Sequence, residues 1–137
     1  HNADHAPTTL SWGHENRTAL IRIPEASESA TRLEFRLPSA DSNPYLVFAS
    51  ILSSVLSGIQ NKYPLSKETL GNSHAQHKPE LGITWREAVA KTSKSKVVKE
   101  FFGEQFQKSF QVVKEHEISR FESTVTDFEY NSYLRHL

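Results

Sequence analysis

The sequence predicts an α+β chain: an antiparallel strand pair followed by about four or five helices. Two observations carry this. Asn16-Arg17-Thr18-Ala19-Leu20-Ile21-Arg22-Ile23-Pro24 and Arg32-Leu33-Glu34-Phe35-Arg36-Leu37-Pro38 are short strand-like runs, each closed by a proline. From Asn43 onward, helix-opening signals recur: Asn43-Pro44, Thr84-Trp85-Arg86-Glu87 and Thr126-Asp127-Phe128-Glu129.

Residues 1–10 are polar and irregular. Residues 16–23 and 31–37 read as the two strands, with 24–29 as a hairpin-like connection. In the second strand Arg32, Glu34 and Arg36 fall on one face, and Leu33, Phe35 and Leu37 on the other, predicted to meet a core. A helix is expected from about Pro44 to Gln60, capped by Asn43 or Ser42. Its apolar residues lie on most sides, so deep burial is expected, with the serines at 50, 53, 54 and 57 allowing close packing. The stretch 61–83, with Pro64, Gly71, Pro79 and Gly82, reads as a surface excursion. Further helices are predicted from Thr84 to about Ser93 and from Ser95 towards Phe102, broken at Gly103. Another runs from Glu104 to about Ser123, with Phe106, Phe110, Val113 and Phe121 as its apolar line and Ile118 beside it. A last helix opens at Thr126 and carries Phe128, Tyr133, Leu134 and Leu137. The expected organisation is one unit over 1–137: a strand pair with a charged face over 14–38 and a mainly helical part over 43–137.

At 137 residues the chain suits about one domain. Sixteen basic residues balance sixteen acidic ones, so nothing points to a nucleic-acid partner. Cysteine is absent, which excludes disulfides and thiolate metal sites and fits a cytoplasmic protein. No apolar run reaches the ~18 residues of a membrane span. Methionine is absent as well and the chain begins at His1; the expectation is a C-terminal piece of a longer polypeptide.

Spacing alone leaves the charged face with two readings. It is either a self-neutralising solvated stripe worth little energy, or a wall for anions and a cation, such as a nucleotide phosphate, a carboxylate and a divalent metal. His74 and His77 stand at i, i+3 in a Gly/Pro-flanked polar stretch without a third ligand nearby, so zinc is not expected there. His14 reads as a loop histidine, Trp12 as a packing residue, and Lys91, Lys94, Lys96 and Lys99 as a solvated face.

Asn16 to Pro38, followed by Asp41-Ser42-Asn43-Pro44-Tyr45-Leu46, resembles the C-terminal part of the glutamine synthetase catalytic domain. That family carries Asn-Arg-(Ser/Thr)…Arg-(Ile/Val)-Pro, then Arg-(Ile/Leu)-Glu-x-Arg-x-Pro, then an Asn-Pro-Tyr helix start. Ser123 to Glu129 with Tyr133-Leu134-Arg135 resembles the family terminus. The likeness is strongest over 11–62 and 117–137 and thin over 65–95.

The resemblance implies ATP-dependent ligation of glutamate to ammonia or a primary amine through a γ-glutamyl phosphate. It implies that Arg17 holds the transferred phosphoryl group and the glutamyl carboxylate, as the catalytic arginine. Arg22 and Arg32, with Arg17, would face the ATP phosphates, and Arg36 would hold the amino-acid substrate. Glu34 would bind a divalent Mg or Mn ion, kept ionised by its arginine neighbours, with further metal ligands outside this chain. It also implies a homo-oligomeric ring, and inactivity of the chain alone. Where glutamine synthetases carry Tyr-Glu-Ala-Pro, this chain has Asp4-His5-Ala6-Pro7, which leans towards members such as γ-glutamylputrescine synthetases with a larger amine. The rival expectation is a non-catalytic structural or regulatory module on the same fold.

Overall fold

Ile21 and Ile23 flank Arg22 on β2 (Ile21–Ile23), the middle strand of a three-stranded sheet. β1 (Trp12–His14) pairs with it in parallel, Gly13 opposite Arg22; β3 (Glu34–Phe35) pairs antiparallel, Glu34 opposite Arg22. The computed structural model describes residues 6–81 and 84–134. The chain divides into two compact units, His1–Leu81 and Gly82–Leu137.

In the first unit, the antiparallel β2–β3 pair is as the sequence predicts, but shorter than expected, and β1 is an addition. Parallel neighbours ordinarily need a long crossover. Here the loop 15–20 alone returns the chain, with Glu15 in the left-handed region at φ 50° and its own Ala19 and Leu20 buried.

The outer edge of β1 is covered by the segment 66–71. Thr69 N donates to Trp12 O at 2.9 Å, Trp12 Nε1 to Ser66 O at 2.8 Å, and His14 N to Glu68 Oε1 at 2.8 Å. Unpaired strand edges need such cover. Gly13 is required by the contact, since a Cβ there would lie 2.6 Å from Thr69 O. The stretch expected as a surface excursion therefore contains an anchoring segment, followed by the short helix α2 (Ser73–Gln76) with Ser73 fully buried.

α1 (Pro44–Asn61) starts as predicted: Asn43 Oδ1 accepts from Tyr45 N at 3.0 Å and Leu46 N at 3.2 Å. The expected deep burial is not found. Tyr45, Phe48, Leu52 and Ile59 are exposed and Ser57 is the helix's buried residue. Among the described residues no element of its unit packs closely along α1, and strands this short offer no surface broad enough to cover it. The same shortage of a second layer corrects the expected apolar wall of the second strand. Phe35 is half-buried, whereas Leu33 and Leu37 are exposed.

The second unit is helical: α3 (Trp85–Lys94), α4 (Lys96–Phe102), α5 (Glu104–Glu122) and α6 (Asp127–Tyr133). Both predicted capping boxes form, Thr84 with Glu87 and Thr126 with Glu129. α3 and α4 pack on α5, where Val89 and Ile118 are buried. Buried Gln107 donates from Nε2 to Thr92 O at 2.7 Å and Ser95 O at 2.9 Å, adding a second bond to carbonyls that already accept the Ser95 and Lys99 backbone N–H groups where α3 meets α4. The packed line of α5 is thus 107, 111, 114 and 118, one residue round from the expected one. Phe106 and Phe110 are half-buried and stack in series with Phe102, while Val113 and Phe121 are exposed. Among the described residues no helix is long and apolar enough to cross a membrane. The helix-line residue Leu137 lies outside the described residues.

Candidate functional site: the charged strand face

Alternation along β2 turns Arg22 away from the direction of its isoleucine neighbours, towards the carboxylates of the adjacent segments. Its Nη1 donates to Glu34 Oε2 at 2.9 Å and its Nη2 to Glu15 Oε2. Glu15 accepts the Glu25 backbone N–H with its other oxygen. Arg32 Nη2 lies 3.5 Å from Glu34 Oε1. The sheet therefore gathers Arg22, Arg32 and Glu34 into an alternating chain of charge that ends on Glu15.

These contacts shift the titration of Glu15 and Arg22. The hydrogen bond from Arg22, then that from the Glu25 amide, holds the Glu15 carboxyl below the usual glutamate range. Arg22 is pushed up, first by Glu15 and then by Glu34. The Arg22 side chain is 14% exposed, and its Nε is buried without a hydrogen-bond partner. Such an orphaned donor is uncommon inside folded chains.

Arg17 and Arg36 form a second group, joined through the backbone. Arg36 Nη1 donates to Arg17 O and, at 3.4 Å, to Ala19 O. Arg36 N donates to Leu20 O at 2.9 Å, extending the β2–β3 ladder. The Arg17 side chain is exposed and makes no hydrogen bond or ion pair among the described residues.

Glu34 offers a carboxylate of the type a hard divalent cation takes, with one guanidinium on each oxygen. Among the described residues no cluster of three or more His, Asp or Glu is placed to hold a metal. The residues here therefore fit one position of a cation's coordination shell and no more.

His14, His74 and His77 each make hydrogen bonds within the chain. His74 Nδ1 meets Thr8 Oγ1 at 3.1 Å, and His77 Nε2 meets Thr69 Oγ1 at 2.9 Å. Exposed His14 donates its backbone N–H and, from Nδ1, a second bond to Glu68 Oε1, both at 2.8 Å. The backbone bond first, and then the imidazole bond, lowers the Glu68 pKa. Trp12 packs beside the 66–71 segment. In the lysine run, Lys99 pairs with Glu104 at 2.8 Å. Asp4, His5 and Arg135 lie outside the described residues.

Sequence reasoning missed Glu15, the second carboxylate on Arg22, and the part that Asn16, Thr18 and the 69–73 segment play beneath Arg17. A glutamate at positive φ leaves no mark in a propensity pattern, and contacts across more than fifty positions leave none in local spacing.

The fold is α+β, and its central strand joins two carboxylates through an arginine. The profile of the glutamine synthetase catalytic domain matches residues 2–133, and the chain belongs to that family. It is 34% identical to γ-glutamylputrescine synthetase PuuA of Escherichia coli (strain K12) over 131 residues, covering 96% of this chain and 28% of the relative. It is 34% identical to the glutamine synthetase of Methanococcus voltae over 139 residues, covering 95% of this chain and 31% of that one. The solved structure of apo GmaS without ligand superposes with a TM-score of 0.80 at 29% identity, covering 97% of this chain and 31% of the other. The chain thus spans less than a third of the length of these relatives.

Proposed function

We propose that this chain supplies the arginine-bearing wall of an ATP-dependent carboxylate–amine ligase site. The observation that carries the reading is Arg17: an exposed guanidinium with no hydrogen bond or ion pair among the described residues, on a loop where Arg36 holds its carbonyl. A permanently charged donor available to an anion is what phosphoryl transfer requires of a protein.

In the reaction proposed, a side-chain carboxylate oxygen of glutamate bonds to the γ-phosphorus of ATP. The bond to the bridging oxygen breaks and ADP leaves. The nitrogen of ammonia or a primary amine then attacks the acyl carbon, phosphate departs, and the nitrogen loses a proton. Arg17 bears on the transferred phosphoryl group and the glutamyl carboxylate. Arg22 and Arg32 offset charge on the nucleotide phosphates, and Arg36 faces the amino-acid substrate with the donors its backbone contacts leave over. Glu34 contributes one oxygen ligand to Mg or Mn, which when bound neutralises phosphate charge; the other ligands come from outside residues 1–137. On this reading the chain alone is inactive, works in the cytoplasm and takes part in a homo-oligomeric ring.

A second reading, a non-catalytic structural or regulatory module, is favoured by one observation. Both terminal nitrogens of Arg22 and both oxygens of Glu34 already have partners within the chain. The experiment that separates them measures phosphate release dependent on glutamate and amine, in the full-length protein carrying this chain. Under the ligase reading, Arg17→Gln abolishes most of the release without altering folding. Full activity in that variant, or none in the parent protein, removes the assignment.

A further inference from the structure

The loop 15–20 is stitched to the 69–73 segment on both sides of Arg17, and we propose that Asn16 and Thr18 are positioning residues for that arginine. The inference rests on the reading of Arg17 as the cation facing the phosphoryl group.

Asn16 is buried and its side-chain amide is fully used. Nδ2 donates to Thr69 O and to Gly71 O, each at 2.8 Å. Oδ1 accepts from Thr18 N at 3.0 Å and from Thr18 Oγ1 at 2.7 Å. Thr18 Oγ1 also accepts from Ser73 N at 2.9 Å. A primary amide has two donors and room for two incoming bonds, so Asn16 spends its whole capacity here. Aspartate lacks the donors, and alanine has nothing to offer.

The anchor beneath is itself rigid. Ser73 Oγ lies 2.7 Å from Thr9 Oγ1 and 2.8 Å from Ser11 Oγ, and Thr9 and Ser11 meet at 2.9 Å, all buried. With Arg36 on the Arg17 carbonyl, the residue before Arg17, the residue after it and its own carbonyl are each held. Only the side chain is left to reach outward.

Holding the segment in place does not need Asn16, because Trp12, His14 and the Thr69 amide already tie 66–69 to β1. What the Asn16–Thr18 stitching adds is a fixed origin for the Arg17 side chain. A preorganised donor costs no rearrangement when charge develops, and a misplacement of about 1 Å can cost roughly 100-fold in rate.

The test is a double-mutant cycle in the full-length protein with Asn16→Ala, Arg17→Gln and their combination. We expect Asn16→Ala to lower kcat by roughly 10- to 100-fold with the KM for glutamate and ATP little changed, and to cost nothing further once Arg17 is replaced. Thr18→Val should show the same pattern, and Thr18→Ser, which keeps the hydroxyl, should restore the rate. If Asn16→Ala does not fold, the Thr18→Val cycle decides. Independent, additive losses in the cycle, or an unchanged kcat in the folded variant, overturn the positioning role. Unchanged activity in Arg17→Gln overturns the reading of Arg17 instead, so the two failures are distinct.

Discussion

Arg22 and Glu34 stand directly opposite each other across β2 and β3, and Arg22 Nη1 donates to Glu34 Oε2 at 2.9 Å. The pair is a cross-strand register lock as well as a proposed ligand set. A slip of one strand by one residue would put the two side chains on opposite faces and separate them. The carboxylate proposed for a metal is thereby held by the strand that carries a proposed phosphate-facing arginine.

Glu34→Gln in the full-length protein keeps the shape and removes the charge. Its activity is expected to fall at low Mg or Mn and to recover partly at high metal, with apparent metal affinity down roughly 10-fold or more. Titration of activity against metal concentration checks this; an unchanged metal dependence takes Glu34 out of the coordination shell.

Arg36→Lys keeps the charge but loses the planar guanidinium, whose Nη1 reaches the carbonyls of Arg17 and Ala19 and whose other donors are proposed for the substrate. One charge-assisted contact is worth about 1.5–3 kcal/mol, so kcat/KM for the amino acid should fall roughly 10- to 100-fold. Steady-state kinetics beside a melting curve would show it. Near-normal kinetics, or unfolding, makes the residue purely structural.

Core truncations should follow burial and not strand alternation. Ile118, 3% exposed, is expected to cost about 2–5 kcal/mol as Ile118→Ala. Leu33, 54% exposed, should cost less than about 0.5 kcal/mol as Leu33→Ala in this chain. Urea titration of the two variants ranks them; the reverse order would contradict the described packing.

Gly13→Ala places a methyl group 2.6 Å from a backbone oxygen, that of Thr69. Backbone cannot rotate away as a side chain can, and overpacking of this kind costs about 1–3 kcal/mol. A lower Tm with weakened protection of the Thr69 amide in hydrogen exchange is the expected result. An unchanged Tm would mean the 66–71 segment is not seated on β1.

Glu104 titrates far below its ordinary range, at about 2 against 4.5, because Lys108 and then Lys99 donate to its carboxylate. Its folded form is the poorer proton binder. The stabilisation is therefore complete above pH ~4.5 and is lost as pH falls towards 2. Glu104→Gln should flatten the acid limb of the stability curve over that window. Parallel curves for the parent and the variant would remove the two lysine contacts from the solution state.

Much of the local structure was legible in the residues. The Asn43 cap, the two Thr…Glu capping boxes and the helix break at Gly103 depend on neighbours within a turn, and such signals survive in sequence because their partners are close by. The antiparallel pairing that sets Arg22 against Glu34 was also readable, from two alternating runs and the connection between them. What only the tertiary structure decided is which faces find cover and which side chains hold the loop. α1 is apolar nearly all round, yet hydrophobicity states only what would gain from burial; this chain's short sheet supplies no surface to provide it. α5 buries Ile118 and Gln107 because α3 approaches along that line, a choice made by its partner helix. Likewise the Asn-Arg-Thr run marks Arg17 in sequence, but Asn16 becomes its anchor only when folding brings Thr69 and Gly71 alongside, since a hydrogen bond depends on distance in space and not on separation along the chain.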